Sequence, residues 1–276
     1  MRIVCVIDES PDGISFANRI HDELGVDLAI VALPRPPGEV LLRKYRSSGA
    51  GGVLDASRER LAVRLSRTRA QRACDRWLGR SWTRLESAIP TLRTTSINTA
   101  PVASRVAALG EVLLLVHCDV ILGDALLRSC AVGLNLHWGL SPHYRGTRCT
   151  EWALLHWDPY NIGVTLHHLT EDVDGGAIVG QSRATVAPND TVRALNAQLT
   201  ALGTRIAVDA GRALRAGADL SGVPQDLEQG FVTYKRQWSG ALGRHVAALE
   251  RAGLDRMLAA PSRGPLPIVE LFASNA

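Results

Sequence analysis

Residues 133–176 read GLNLHWGLSPHYRGTRCTEWALLHWDPYNIGVTLHHLTEDVDGG. At the start of this run Leu134 and Leu136 alternate with Asn135 and His137. In an extended chain residues i and i+2 project from one face. A strand here therefore aims an amide and an imidazole at one volume, while the two leucines pack the opposite way. A loop follows, punctuated by Gly139, Pro142 and Gly146, with Tyr144 and Arg145 near its tip. A second β-rich run, Gly163 to Leu169, ends in an acidic turn, Glu171-Asp172-Val173-Asp174, closed by Gly175 and Gly176. One strand thus offers a donor and a titratable base, and a loop offers a carboxylate.

Working outward toward the N-terminus, Arg2 to Asp8 reads as a buried strand. Ser10 or Asp12 is placed to cap a helix whose apolar face carries Ile14, Ala17, Ile20 and Leu24, with Gly25 to end it. Asp27 to Leu33 reads as a second strand. Strand, helix and strand at this length predict a parallel unit of a doubly wound α/β sheet. PRPPGEV, from Pro34, breaks regular structure. Beyond it come a helical region from about Asp55 to Trp82, a helix over 100–109 and a strand over 112–116. On the other side, 177–186 reads as a strand. A helix then runs to about Arg215, capped by Asp190 or Thr191, with Val192, Leu195, Leu199, Leu202 and Ile206 on its apolar side. After Ser221 the pattern weakens to a short strand in QGFVTYKRQWS and a helix over 240–258. The proline-rich end reads as an arm or a partner-facing extension of an appendage packed on the main domain. These readings place a main domain over 1–220 and an appendage over 221–276.

Composition narrows the class. Hydrophobic residues make up 46% and charged residues 21% of the 276, ordinary values for a soluble globular protein with a substantial core. The five cysteines, Cys5, Cys74, Cys118, Cys130 and Cys149, form no Cys-x-x-Cys pair and read as reduced thiols of a cytoplasmic protein. No run has signal-peptide or membrane-spanning character. The net charge of +4 is concentrated between Arg43 and Arg84, as an anion-facing surface or a solvated helix face. No aromatic ladder or glycine-rich motif accompanies these arginines, which argues against a nucleic-acid partner. His167, His168 and Cys118 lack ligand spacing, so no metal is expected.

The order Asn135-x-His137, LSPHYRG, Asp174-Gly175-Gly176 resembles the folate-dependent formyltransferases, whose hallmark is Asn-x-His, a proline-glycine loop and a later Asp-x-Gly. VTLHHLTEDVDGGAIVGQ is similar to the corresponding segment of the glycinamide ribonucleotide transformylases. LSPHYRG looks more like the methionyl-tRNA and sugar N-formyltransferases. The resemblance implies a Rossmann-like, mostly parallel sheet of the formyltransferase type and a formyl donor, 10-formyltetrahydrofolate. It implies that Asn135 stabilises an oxyanion, that His137 carries a proton and that Asp174 controls the charge of His137. It further implies that the backbone of Val120, Ile121 and Leu122, with the turn of Glu171, Asp172, Val173 and Asp174, binds the pterin. Trp138 and Gly139, which stand where the family has proline and serine, flank the acceptor amine, and His167 lines the same pocket.

The chain departs from the pattern in one informative place. DESPDGISFANRI follows the first strand and lacks the glycine-rich phosphate loop of the ribonucleotide enzymes, so a ribonucleotide phosphate loses its backbone cradle. The expected activity is N-formylation of a small-molecule amine, either a nucleotide-linked amino sugar or an amino acid or hydroxylamine such as hydroxyornithine. A 10-formyltetrahydrofolate hydrolase and a basic nucleic-acid-binding module are the alternatives. A homodimer is left open.

Overall fold

Five successive side chains of the first strand, Ile3 to Ile7, have no solvent exposure. They divide by the period of the pleat. Ile3, Cys5 and Ile7 enter one apolar cluster, and Val4 and Val6 enter another on the opposite face. A strand buried on both sides belongs in the middle of a layered α/β sheet, and each such aliphatic side chain contributes roughly 1.5–3 kcal/mol of burial. The computed structural model describes residues 1–34, 38–40, 42, 45, 46, 49, 51, 67–261 and 264–271.

Among these residues seven strands form one sheet, in the order β3 (Thr91–Thr94), β2 (Leu28–Ala32), β1 (Arg2–Asp8), β4 (Val112–His117), β5 (Val132–His137), β7 (Gly163–His168), β8 (Ile178–Arg183). The β3-to-β5 portion is parallel throughout, and β7 and β8 run antiparallel. Helix α1 (Pro11–Leu24) and the long α6 (Val192–Arg215) supply Phe16, Ile20, Leu195 and Leu199 to one face. Helix α3 (Ala100–Ala107) supplies Val102 and Val106 to the other. The doubly wound, mostly parallel sheet expected from the sequence is the one observed.

Local signals set the helix ends. Ser10 accepts the Gly13 N–H at 3.1 Å and Pro11 opens α1, while Gly25, at φ +74, closes it. Thr191 caps α6 through the Ala194 N–H at 3.2 Å. The expected helix over 55–82 is seen in part: its portion over 55–66 lies outside the described residues, α2 spans Arg67–Trp77, and Gly79, at φ +68, follows it. The helix expected over 240–258 is broken at Gly253, at φ +83, into α7 (Gly240–Ala252) and α8 (Asp255–Ala259).

Two features differ from the sequence reading. β3 was not expected, because four residues with every other one exposed leave no apolar run. The proline-rich end is no free arm over 264–271. It lies along β8, where Gln181 N–H donates to Val269 O at 2.8 Å and Val269 N–H donates to Gln181 Oε1 at 3.0 Å. Residues after 221 share the main core through Val246, Leu254 and Met257. They also add β9 (Phe231–Thr233), which pairs in parallel with β6 (Tyr144–Gly146) in a small second sheet. No helix among the described residues is long and apolar enough to cross a membrane.

Candidate active site

Strands β1, β4 and β5 run side by side in parallel, with Ile7 beside His117 and Val116 beside Asn135. Their carboxyl ends therefore meet at one rim, where the strand order reverses on either side of β1. Such a switch point leaves a crevice in α/β sheets. A cavity of about 440 Å³ occupies it. Asn135, His137, Trp138, Val120, Ile121, Leu122, His167 and the turn from Glu171 to Asp174 all line this cavity.

The alternation of β5 works as the sequence suggested. Leu134 and Leu136 enter the core beneath α6, and Asn135 and His137 face the crevice. The turn after β7 brings Asp174 to both. Asn135 Nδ2 donates to Asp174 Oδ1 at 3.2 Å, and His137 Nδ1 lies 3.3 Å from Asp174 Oδ2. Gly146 N–H donates to the same Oδ2 at 2.8 Å. Gly146 has φ +91, and a Cβ there would fall 2.0 Å from Thr233 O, so only glycine lets the β6 backbone approach this closely. Asp174 itself sits in the left-handed region, at φ +49.

His167 completes the network. Its Nδ1 faces His168 O at 2.8 Å; a carbonyl only accepts, so Nδ1 carries the proton. Nε2 stands between Asn135 Nδ2 at 3.2 Å and Asp174 Oδ1 at 3.4 Å. This orients the Asn135 amide with its nitrogen toward Asp174 and His167. The ring of His137 is short of protons. Nε2 faces Tyr144 O at 3.0 Å and Nδ1 faces Asp174, so a neutral ring can satisfy only one of two acceptors.

Burial sets the charges. It lowers the pKa of His137, and the Asp174 carboxylate opposes that shift without cancelling it, so the ring is neutral at neutral pH. Burial alone would raise the pKa of Asp174. His137, His167 and the Gly146 N–H outweigh it and hold the carboxyl well below the usual range. With His137 neutral, the Gly146 N–H and the Asn135 amide still favour the carboxylate, so Asp174 is ionised. Cys149 lies 3.6 Å from His137 Nε2, but burial, then Asp174 and Glu151, push its thiol far up, and it stays protonated.

Gly139 is a correction. It does not line the cavity but lies behind the imidazole, where a Cβ would stand 2.2 Å from His137 Nε2. Trp138 does line it, donating from Nε1 to Thr200 Oγ1 at 3.2 Å. Of the backbone expected to bind a ring, Ile121 O already accepts from Asn98 Nδ2 at 2.8 Å, and Gly123 N–H donates to Asn98 Oδ1 at 2.7 Å. Asn98 thereby fixes the 120–122 loop, and the sequence reading passed over it. It also missed Asp8, Arg148, Glu151 and Lys235 in the lining. The Arg148-to-Glu151 spacing of one helical turn was the available signal for that pair, which meets at 3.0 Å. In the basic region, Arg43, Lys44, Arg58, Arg60 and Arg64 lie outside the described residues, while Arg46, Arg72, Arg76 and Arg84 are exposed.

The chain is similar to known proteins. The family described as Formyl transferase matches residues 71–210. The methionyl-tRNA formyltransferase of Burkholderia cenocepacia is 32% identical over 212 residues, covering 76% of this chain and 58% of that protein. The chain thus spans under two thirds of the length of this curated relative. Among solved structures, glycinamide ribonucleotide transformylase 1 from Symbiobacterium toebii aligns with a TM-score of 0.52 at 20% identity, covering 82% of this chain and 93% of that one. The N-formyltransferase of Helicobacter canadensis, solved with folinic acid and dTDP-3-aminofucose, aligns with a TM-score of 0.53 at 12% identity, covering 87% and 73%. At such identities the structures speak to the fold, and the family rests on the sequence match over half the chain: this protein is a member of the formyl transferase family.

Proposed function

We propose that the chain transfers a formyl group from 10-formyltetrahydrofolate to the amine of a small molecule. The observation that carries this reading is the convergence of Asn135, His137 and Asp174 on one cavity wall. The cavity suits a flat heterocycle. Its volume falls within the range of small-molecule sites, and Val120, Ile121, Leu122, Leu127 and Leu169 give it apolar walls. The folate supplies the formyl carbon when bound.

The residues of the chain do the rest. Asn135 keeps one amide N–H on Asp174 and presents the other, which faces His167 in this structure, to the oxygen that gains charge as the amine attacks, an effect worth about a hundred- to a thousandfold in comparable sites. His137, neutral and short of one proton, accepts the proton the amine must lose. The nitrogen without a proton takes it, and with both nitrogens protonated the ring satisfies Tyr144 O and Asp174 Oδ2 together. Asp174 would neutralise the imidazolium so formed, and the imidazolium would return its proton to the folate nitrogen as the bond from that nitrogen to the formyl carbon breaks. No covalent intermediate with the enzyme is required, and Cys149, a protonated thiol, takes no nucleophilic part.

Of the two acceptor classes raised by the sequence, the unphosphorylated amine has the better support. The rim of β1 offers Asp8 in place of a phosphate cradle, and the Ser10 hydroxyl already occupies the Gly13 N–H at the start of α1. The two arginine or lysine side chains among the lining residues, Arg148 and Lys235, face Glu151 and Asp119. A nucleotide diphosphate would have to break those pairs. The test is an acceptor screen with 10-formyltetrahydrofolate across amino acids, ornithine derivatives, amino sugars with and without a nucleotide, and methionyl-tRNA. Formylation of an unphosphorylated amine is expected. Formate release that is indifferent to every acceptor would replace the reading with a hydrolase.

A further inference from the structure

Asp174 holds a left-handed backbone conformation, φ +49, which is uncommon for a residue with a Cβ although Asp adopts it more readily than most. The carboxylate loop is gripped from outside the residues that match the family. Gln225 Nε2 donates to Asp174 O at 3.0 Å and to Gly176 O at 2.5 Å, so one amide group ties together two carbonyls that flank the turn. The orientation of this amide is forced, since a flipped one would set Oε1 against both carbonyls. Its Oε1 is buried without a hydrogen-bond partner among the described residues. Burying an acceptor in that way is unfavourable, and the two donated bonds are the offsetting gain.

The stretch around Gln225 is itself anchored. Val223 bridges to Ile178, which begins β8. Arg145 Nη2 donates to Leu227 O at 2.7 Å, and the Leu227 side chain lies against Gly175. Further on, Thr233 Oγ1 donates to Thr147 O at 2.6 Å, with Arg145 O at 3.1 Å, on the two sides of Gly146, whose N–H holds Asp174 Oδ2. The carboxylate is therefore held on its side-chain end by β6 and on its backbone end by Gln225.

We propose that Gln225 is a positioning residue for Asp174: its side-chain amide locks the turn in the left-handed conformation that aims Oδ2 at His137. This rests on the formyl-transfer reading for its functional meaning, since it is through Asp174 that Gln225 acts on proton transfer. It touches neither substrate. Removing the amide leaves the turn free to relax toward an unstrained conformation, and the carboxylate then swings away from the imidazole.

The experiment uses the full chain and needs no acceptor. The imidazole of His137 is titrated by NMR in the wild type, in Gln225→Leu and in Gln225→Met, and again with each change in an Asp174→Asn background. Asp174 raises the pKa of His137, so losing its alignment shifts the midpoint of His137 down, by about half a unit or more. The shift should vanish in the Asp174→Asn background. An unchanged midpoint in a folded variant overturns the proposal, as does an equal shift in both backgrounds. Gln225→Met keeps the length of the side chain without the amide or a charge and serves if Gln225→Leu fails to fold. Loss of folding in both assigns Gln225 to the fold alone and also overturns it. Calorimetry with folinic acid on the same wild-type sample keeps the two readings apart. Absence of binding sinks the folate reading, while the titration still reports on the clamp.

Discussion

One oxygen of Asp174 accepts the backbone N–H of Gly146 at 2.8 Å and stands 3.3 Å from Nδ1 of His137. The charge on that oxygen is thus held by the protein whether or not the ring is protonated. A proton arriving on His137 meets an anion already in place, and no carboxylate has to move or ionise during the reaction.

Asp174→Asn preserves the shape of the side chain and removes the charge. The turnover number is expected to fall about a hundred- to ten-thousandfold, with folinic acid affinity changed less than tenfold. Steady-state kinetics on the acceptor found in the screen, beside calorimetry, checks the split. A turnover number near wild type would remove Asp174 from proton transfer.

Acid should destabilise the fold in two steps. The depressed pKa of His137 means that the unfolded chain takes up its proton first, so stability falls as pH drops below about 6.5, the ordinary histidine value. The depressed pKa of Asp174 works at lower pH. Its contribution is complete above the ordinary value of 3.8 and is lost as pH falls through the folded value. Melting temperatures against pH should show His137→Gln removing the first decline. The gap between wild type and Asp174→Asn should narrow below pH 3.8.

Gly139→Ala puts a methyl group 2.2 Å from His137 Nε2 and 2.4 Å from Tyr144 O. Backbone and ring must separate, at about 1–3 kcal/mol of stability. Urea unfolding measures the loss, and activity should fall with it because the His137 ring is displaced. An alanine variant as stable and active as wild type would show that the loop yields without strain.

Asn98→Ala unties the 120–122 loop without touching Asn135, His137 or Asp174. Two hydrogen bonds are lost, each worth about 0.5–1.5 kcal/mol, and folinic acid affinity should weaken about tenfold while the turnover number at saturation holds. Saturating folinic acid should raise the melting temperature of the wild type: about 2.7 kcal/mol is gained at a hundred times Kd. The gain should shrink in Asn98→Ala at equal ligand concentration.

What could be read in advance follows from the range of the forces involved. The pleat of β5 is local, so the pairing of Asn135 and His137 on one face was legible from four residues, Leu134 to His137. The caps of α1 and α6 are equally local, and Ser10 and Thr191 stand where the sequence placed them. Gln225 and Asn98 were invisible for the opposite reason. Each acts through a carbonyl far along the chain, |i−j| = 51 to Asp174 and 23 to Ile121, and no periodicity marks a side chain that grips a remote backbone. Gly139 was expected to flank the acceptor from its place in the family pattern, whereas the constraint seen on it is the neighbouring ring of His137.

The stretch over 264–271 that lies along β8 has a consequence for solubility. An open β edge presents ladder donors and acceptors to any passing strand, and here Val223 and Val269 already occupy that edge at Ile178 and Gln181. A chain cut after Ala260 keeps its cavity but bares the margin beside Gln181, and its expected fate is concentration-dependent self-association, visible by light scattering, with the intact chain as the clear control.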